Sequence, residues 1–230
     1  MVELEKVVVD TDMLCSLDTL SLANYLEKQI SFIFPDGGDK GLLNQIIPAA
    51  LERLRHCFDN TIYSNNWLNS ECYFNHLNAD QYVIFIYFCS RVAFESHQNK
   101  ELASKLFYLN KVLHSFHCMY DTILPDIFVI VHAANIVLGK ATYQDYMVVM
   151  QNCTIGANSK FELPVLGKYL FMYPNSSILG NSHLGANVCC SNGSFINNES
   201  IPSNSIAFGR SPELHLKNNR QDRLAHVFRL

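Results

Sequence analysis

Leu166, Met172, Ile178, Leu184, Cys190 and Ile196 stand six residues apart without a slip. The fourth residue after each is Leu170, Ser176, Ser182, Val188, Ser194 and Ser200. A strict six-residue period of this kind belongs to a triangular coil, in which each unit makes one flat side and one corner. An aliphatic residue points into the prism, and a small residue fits beside it near the turn. Gly, Asn and Asp suit the corners because they tolerate unusual backbone angles. Asn175, Asn181, Asn187, Asn192, Asn197 and Asn198 are expected there, as turn formers or as a stacked ladder. The pattern continues upstream in weaker form through Leu138-Gly139, Val149 and Ile155-Gly156. The step from Ile155 to Leu166 is eleven residues where twelve would keep register, which places a small loop near Asn158 to Pro164.

The first half has a different period. From Ser16 to about His117 the apolar residues recur at three- and four-residue spacing, as in Leu22, Leu26, Ile30 and in Leu43, Ile47, Leu51, Leu54, Phe58. About four helices are expected. Phe34-Pro35-Asp36-Gly37-Gly38 ends the first, Asp39 is a candidate cap for the second, Asn78-Ala79-Asp80 precedes the third, and His97 to Lys100 separates the third from the fourth.

Composition removes several function classes. The formal net charge of -4 and the absence of a Lys/Arg-rich run leave no basic surface for a phosphate backbone, so no nucleic-acid partner is expected. The eight cysteines are scattered, with no CxxC and only Cys189-Cys190 adjacent, and read as reduced, mostly buried thiols. The N-terminus lacks the basic-then-apolar design of a signal peptide, and the apolar run Val83 to Phe94 is too short to span a bilayer. A cytoplasmic protein without a membrane span is the expectation.

The segment VHAANIVLGKATYQDYMVVMQNCTIGAN, beginning at Val131, resembles the active-site coils of serine O-acetyltransferases, members of the hexapeptide-repeat acetyltransferases. The likeness runs from about Leu113 to Gly209, and a helical part precedes it as in that family. His132 is followed seven residues later by Gly139, the family's relation between its catalytic histidine and the next coil. The resemblance implies an α+β chain of two parts, an N-terminal α-helical domain followed by a left-handed parallel β-helix of four to five coils. Its divisions are residues 1–118, 119–209 and a C-terminal tail at 210–230.

The resemblance also implies chemistry. His132, held by a carboxylate, takes the proton from an acceptor hydroxyl, whose oxygen attacks the thioester of acetyl-CoA, with no metal. An unperturbed imidazole titrates near ~6.5 and suits that proton transfer at neutral pH. The partner carboxylate is Asp121, with Asp126 as the competitor. The pantetheine arm is placed against Ala157, Asn158, Pro174 and Asn192, in a groove between subunits of a homotrimer, with a dimer of trimers as the larger alternative. The family's substrate-charge positions read Val131, Glu162 and Leu163 here, and these lack the pattern that a zwitterionic serine requires. A sugar or nucleotide-sugar hydroxyl therefore stands beside serine as acceptor, and an inactive hexapeptide scaffold stands as the reading of another class. His114 and His117, three residues apart, and His183 in the ladder lack the further ligands of a metal site.

Overall fold

The computed structural model describes residues 7–8, 13–37, 40–62, 72–220 and 224–229. Four helices come first: α1 (Thr19–Ile33), α2 (Lys40–Asp59), α3 (Ala79–Glu95) and α4 (Lys100–His114). Asp18, Asn78 and Asn99 cap α1, α3 and α4, each accepting a hydrogen bond from a main-chain N–H of the first turn, which satisfies donors the helix itself cannot. The expected cap of α2, Asp39, lies outside the described residues. The three-to-four spacing reads out as burial: Leu22, Leu26 and Ile30 in α1 and Leu43, Ile47, Leu51, Leu54 and Phe58 in α2 all face the core. Helix α3 is the central element. Every residue from Gln81 to Ala93 is buried, because other helices and the coil surround it, and a helix enclosed on all faces carries no polar stripe.

His114 closes α4 inside this packing, with Nδ1 at 2.8 Å from Oδ1 of Asn110. Burial pulls its pKa down to about 4, with the field of Asp80 opposing. The native imidazole is thus neutral where the unfolded one, with its ordinary value of 6.5, takes up a proton. The stability this provides is complete above that value and is lost as pH falls through the folded one. By about pH 4 the loss is on the order of 3 kcal/mol. Urea unfolding across that range is expected to show a steeper decline for the native protein than for His114→Gln.

The second half is a left-handed parallel β-helix of about five turns. Three columns of short strands form its sides. The first contains Phe116–His117, Ile136–Leu138, Thr154–Gly156, Ser177–Leu179 and Phe195–Asn197. The second contains Phe128–Val131, Met147–Met150, Phe171–Met172 and Cys189–Cys190. The third contains Val165–Leu166, His183–Leu184 and Ser200–Ile201. Ser205–Arg210 closes the first two sides together and then pairs antiparallel with Glu213–Asn218.

All six ladder residues are at most 4% exposed. Two of the small residues at the fourth offset have a polar reason as well as a steric one: the Ser176 and Ser182 hydroxyls donate to the carbonyls of Tyr173 and Leu179, three residues back. Asparagine ladders bind successive corners. Asn135 donates to Asn152, and Asn152 to Asn175, while Asn187 donates to Asn204. Asn135, Asn152, Asn175, Asn187, Asn198 and Asn204 hold positive φ, between 53° and 62°.

Two irregularities break the period. Ile155 pairs with Ile178, 23 residues on, where Ile178 pairs with Ile196 after 18. The eleven-residue step is therefore not two prism sides short by one residue, as the spacing suggested, but one side with five residues inserted, and they emerge between Gly156 and Val165, carrying Phe161 86% exposed. After Ile196 the inward position falls on Ile201, which pairs with Leu184 at a spacing of 17. Ser200 is consequently exposed, although it continues the ladder's offset.

The helices meet the prism at its first coil, where α3 packs on the strand Phe128–Val131. Phe128, wholly buried, brings its ring within 5.9 Å of those of Tyr87 and Phe88 on α3. Ile127, Val129, Val131 and Val148 form a separate apolar patch on the outer face of that side, covered by Leu224 and Phe228. The segment carrying these two residues is fixed to the loop after α2, with Ile62 donating to Val227 and Arg229 to Asn60 through their main chains.

Candidate functional site

His132 follows the strand Phe128–Val131, at the corner where the chain turns from the second side to the first. This corner is longer than the one beneath it. Val131 pairs with Met150 and Val137 with Thr154, so six residue steps stand over four. The two additional residues push the chain outward. His132 is exposed and has φ 56°, a conformation strained for a side chain with a Cβ. Asp80, in the first turn of α3, closes the bulge: its Oδ2 accepts from the His132 N–H at 2.9 Å and its Oδ1 from the Ala133 N–H at 2.7 Å.

Neither aspartate singled out in the sequence is hydrogen-bonded to the His132 ring. Asp121 lies at the next corner, between the first side and the third, in an ion pair of 2.9 Å with Lys140. The two charges border an open groove of about 410 Å³ whose walls include Ile123, Thr142, Leu163 and Pro164. Asp126 is exposed at the start of the second side, and its main-chain N–H donates to Asp145 at 3.0 Å. Among the described residues, the one carboxylate hydrogen-bonded to the His132 main chain is that of Asp80, 52 residues earlier in the chain. Sequence reasoning missed it as a site residue because Asp80 reads locally as part of the polar entry to a helix.

The other candidates divide between the same two corners. Pro174 and Asn192 follow the second side's third and fourth strands and so share His132's corner, where the Pro174 carbonyl accepts from Gly193 at 3.0 Å. Asn192 is exposed. Ala157, Asn158, Glu162 and Leu163 belong to the corner of Asp121. The Asn158 side chain is occupied in building the five-residue excursion: Oδ1 accepts from the N–H groups of Lys160 and Glu162, and Nδ2 donates to Glu162 and Asn198. Its main chain is engaged as well, the N–H donating to the Glu162 carbonyl at 3.3 Å and the carbonyl accepting from Phe161 at 3.0 Å. Val131 is 8% exposed within the apolar patch beneath Leu224 and Phe228, and Leu163 is 44% exposed. No group of three or more His, Cys, Asp or Glu is placed to hold a metal ion among the described residues.

His132, Pro174 and Asn192 thus form one column of corners, while Asp121, Ala157, Asn158 and Leu163 form another, one prism side away. The two columns flank the first side of the prism.

No protein-family model and no curated protein sequence matches the chain. Solved structures do. The serine acetyltransferase of Vibrio cholerae O1 biovar El Tor N16961 superposes with a TM-score of 0.69 at 15% identity, over 90% of this chain and 81% of that one. The serine acetyltransferase of Brucella abortus strain S19 gives 0.67 at 15% identity, over 87% and 83%. A serine acetyltransferase in complex with CoA gives 0.67 at 15% identity, over 87% and 85%. The likeness takes in helices and coil together, and at these identities it establishes the fold.

Proposed function

We propose that the chain is an acetyl-CoA-dependent O-acetyltransferase of the serine O-acetyltransferase type. The observation that carries this reading is the exposed His132 at an outward-bulged coil corner, on a fold shared from helices to coil with serine acetyltransferases. A hydroxyl is a weak nucleophile at neutral pH. In the proposed reaction the His132 imidazole removes its proton as the oxygen attacks the thioester carbonyl, the C–S bond breaks, and the CoA thiolate leaves and takes the proton back. Binding in a fixed orientation supplies much of the acceleration, and no covalent acyl-enzyme is required.

The separation of the candidates into two columns supports a homotrimer in which His132 of one copy faces the Asp121 corner of the next. Acetyl-CoA would lie between them, near Asn192 and the main chain of Ala157 and Asn158. The division into a helical domain at 1–118, a catalytic coil at 119–209 and a tail at 210–230 belongs to the same reading, as does a cytoplasmic location. No helix among the described residues is long and apolar enough to cross a membrane.

The acceptor is set by the groove. Val131, Glu162 and Leu163 give an amino acid no cation for its carboxylate, but Lys140 and Asp121 together offer one charge of each sign. This favours a serine-like zwitterion. The apolar rim of Ile123 and Leu163 and the volume of about 410 Å³ favour the second reading, a sugar or nucleotide-sugar hydroxyl. Release of free CoA thiol, measured with L-serine, sugars, amino sugars and nucleotide sugars in parallel, separates them. Serine-dependent release is the expected result. A sugar-only signal moves the protein to sugar acetylation, and silence with every acceptor contradicts the enzymatic reading in favour of a scaffold.

A further inference from the structure

The structure assigns Asp80 the role of a positioning residue for His132, which makes helix α3 part of the catalytic apparatus; the assignment rests on His132 being the general base. In the coils below, corner N–H groups find carbonyls of the neighbouring coil, as Asn152 finds Ala134 at 3.0 Å and Gly193 finds Pro174 at 3.0 Å. The corner of His132 has two residues more than the one beneath it, and the N–H groups of His132 and Ala133 are turned away from the strand ladder toward α3. Two adjacent N–H groups pointing the same way make a small anion-binding concavity. The Asp80 carboxylate fills it with both oxygens, at 2.9 and 2.7 Å.

Asp80 is itself fixed. Its N–H donates to the Asn78 cap at 3.0 Å, and it sits at the N-terminus of a helix, where the aligned peptide dipoles favour a negative charge. The buried body of α3 then anchors the clamp, since Phe85, Ile86 and Phe88 are at most 4% exposed. The result is that His132 keeps its φ of 56° by an external tether, where an ordinary corner would use Asn or Gly. A second consequence concerns the reaction: the N–H groups of His132 and Ala133 are taken by Asp80, so an oxyanion formed during transfer does not draw on those two donors.

The test compares Asp80→Ala, which removes both acceptors, with Asp80→Asn, which keeps one. Asn99→Ala serves as control, because it removes the cap of α4 in the same helical half and weakens the fold without touching the corner. In Asp80→Ala, kcat is expected to fall by about 10²-fold, as for a displaced catalytic group, with KM for acetyl-CoA essentially unchanged. Asp80→Asn is expected to fall between this variant and the native protein, and Asn99→Ala to keep the native kcat. Amide hydrogen exchange at His132 and Ala133 supplies a readout independent of turnover: slow in the native protein and in Asn99→Ala, fast in Asp80→Ala.

Fast exchange in the native protein, or a kcat in Asp80→Ala equal to that of Asn99→Ala, overturns the assignment. If no acceptor supports turnover, or His132→Ala is fully active, the positioning role falls with the general-base reading. That failure is distinguished from the clamp's own by slow native exchange at the two amides.

Discussion

Phe128→Ala is expected to remove about 3–5 kcal/mol of stability, the usual range for deleting a wholly buried aromatic ring. Phe128 is 0% exposed and opens the strand that leads to His132. Its ring meets Tyr87 edge-on at 5.9 Å, with an interplanar angle of 86°, and Phe88 at 5.9 Å and 65°. Edge-to-face pairs of this kind add to the area they bury. The carbonyl of the same residue accepts from the Cys57 thiol of α2, so one position fastens two helices to the prism. A chain of this length loses roughly 2–4 °C in melting temperature per kcal/mol, so a fall of roughly 10 °C in one cooperative transition is expected by calorimetry. Two separate transitions with an unchanged upper one would show instead that helices and coil are independent.

Much of the coil was legible because its period leaves little freedom. The six ladder residues are the ones that point inward, and Ser176 and Ser182 are buried beside them with their hydroxyls satisfied at the turn. The excursion after Gly156 was visible as a break in spacing, although its size depended on knowing that only one prism side lies between Ile155 and Leu166. The slip at Ile201 was not visible, because Ser200 and Pro202 carry on a plausible pattern while the chain moves by one residue. Among the helices, apolar spacing marked α1 and α2 well. Helix α3 was marked by its caps and by sheer apolar content, since enclosure removes the polar face that periodicity needs.

The site was less legible than the fold, for a physical reason. His132 stood out as a candidate because it lies seven residues from Gly139 in a run that resembles the serine O-acetyltransferases. The group that holds its main chain could not, because Asp80 reaches it through tertiary packing across 52 residues. Asp121 was singled out through the resemblance, as a carboxylate a short distance before His132; within the chain it lies at the next corner and pairs with Lys140. Sequence distance along a coil measures position around the triangle poorly.

His132→Ala is expected to lower the rate of acetyl transfer by roughly 10³-fold, within the range that a positioned general base contributes. The side chain is exposed, so its truncation opens no cavity, and a small stability change is expected. The alanine at this position still carries positive φ, but it is held by the same two hydrogen bonds to Asp80, which use only main-chain donors. Loss of turnover without loss of fold would therefore report on the imidazole itself.

The most direct measurement is acceptor-dependent release of CoA thiol from acetyl-CoA by the native protein and by His132→Ala, with each variant's melting temperature recorded alongside. Turnover is expected in the native protein and falls roughly 10³-fold in the variant at an unchanged melting temperature. Equal rates in the two proteins would contradict it and remove His132 from the chemistry.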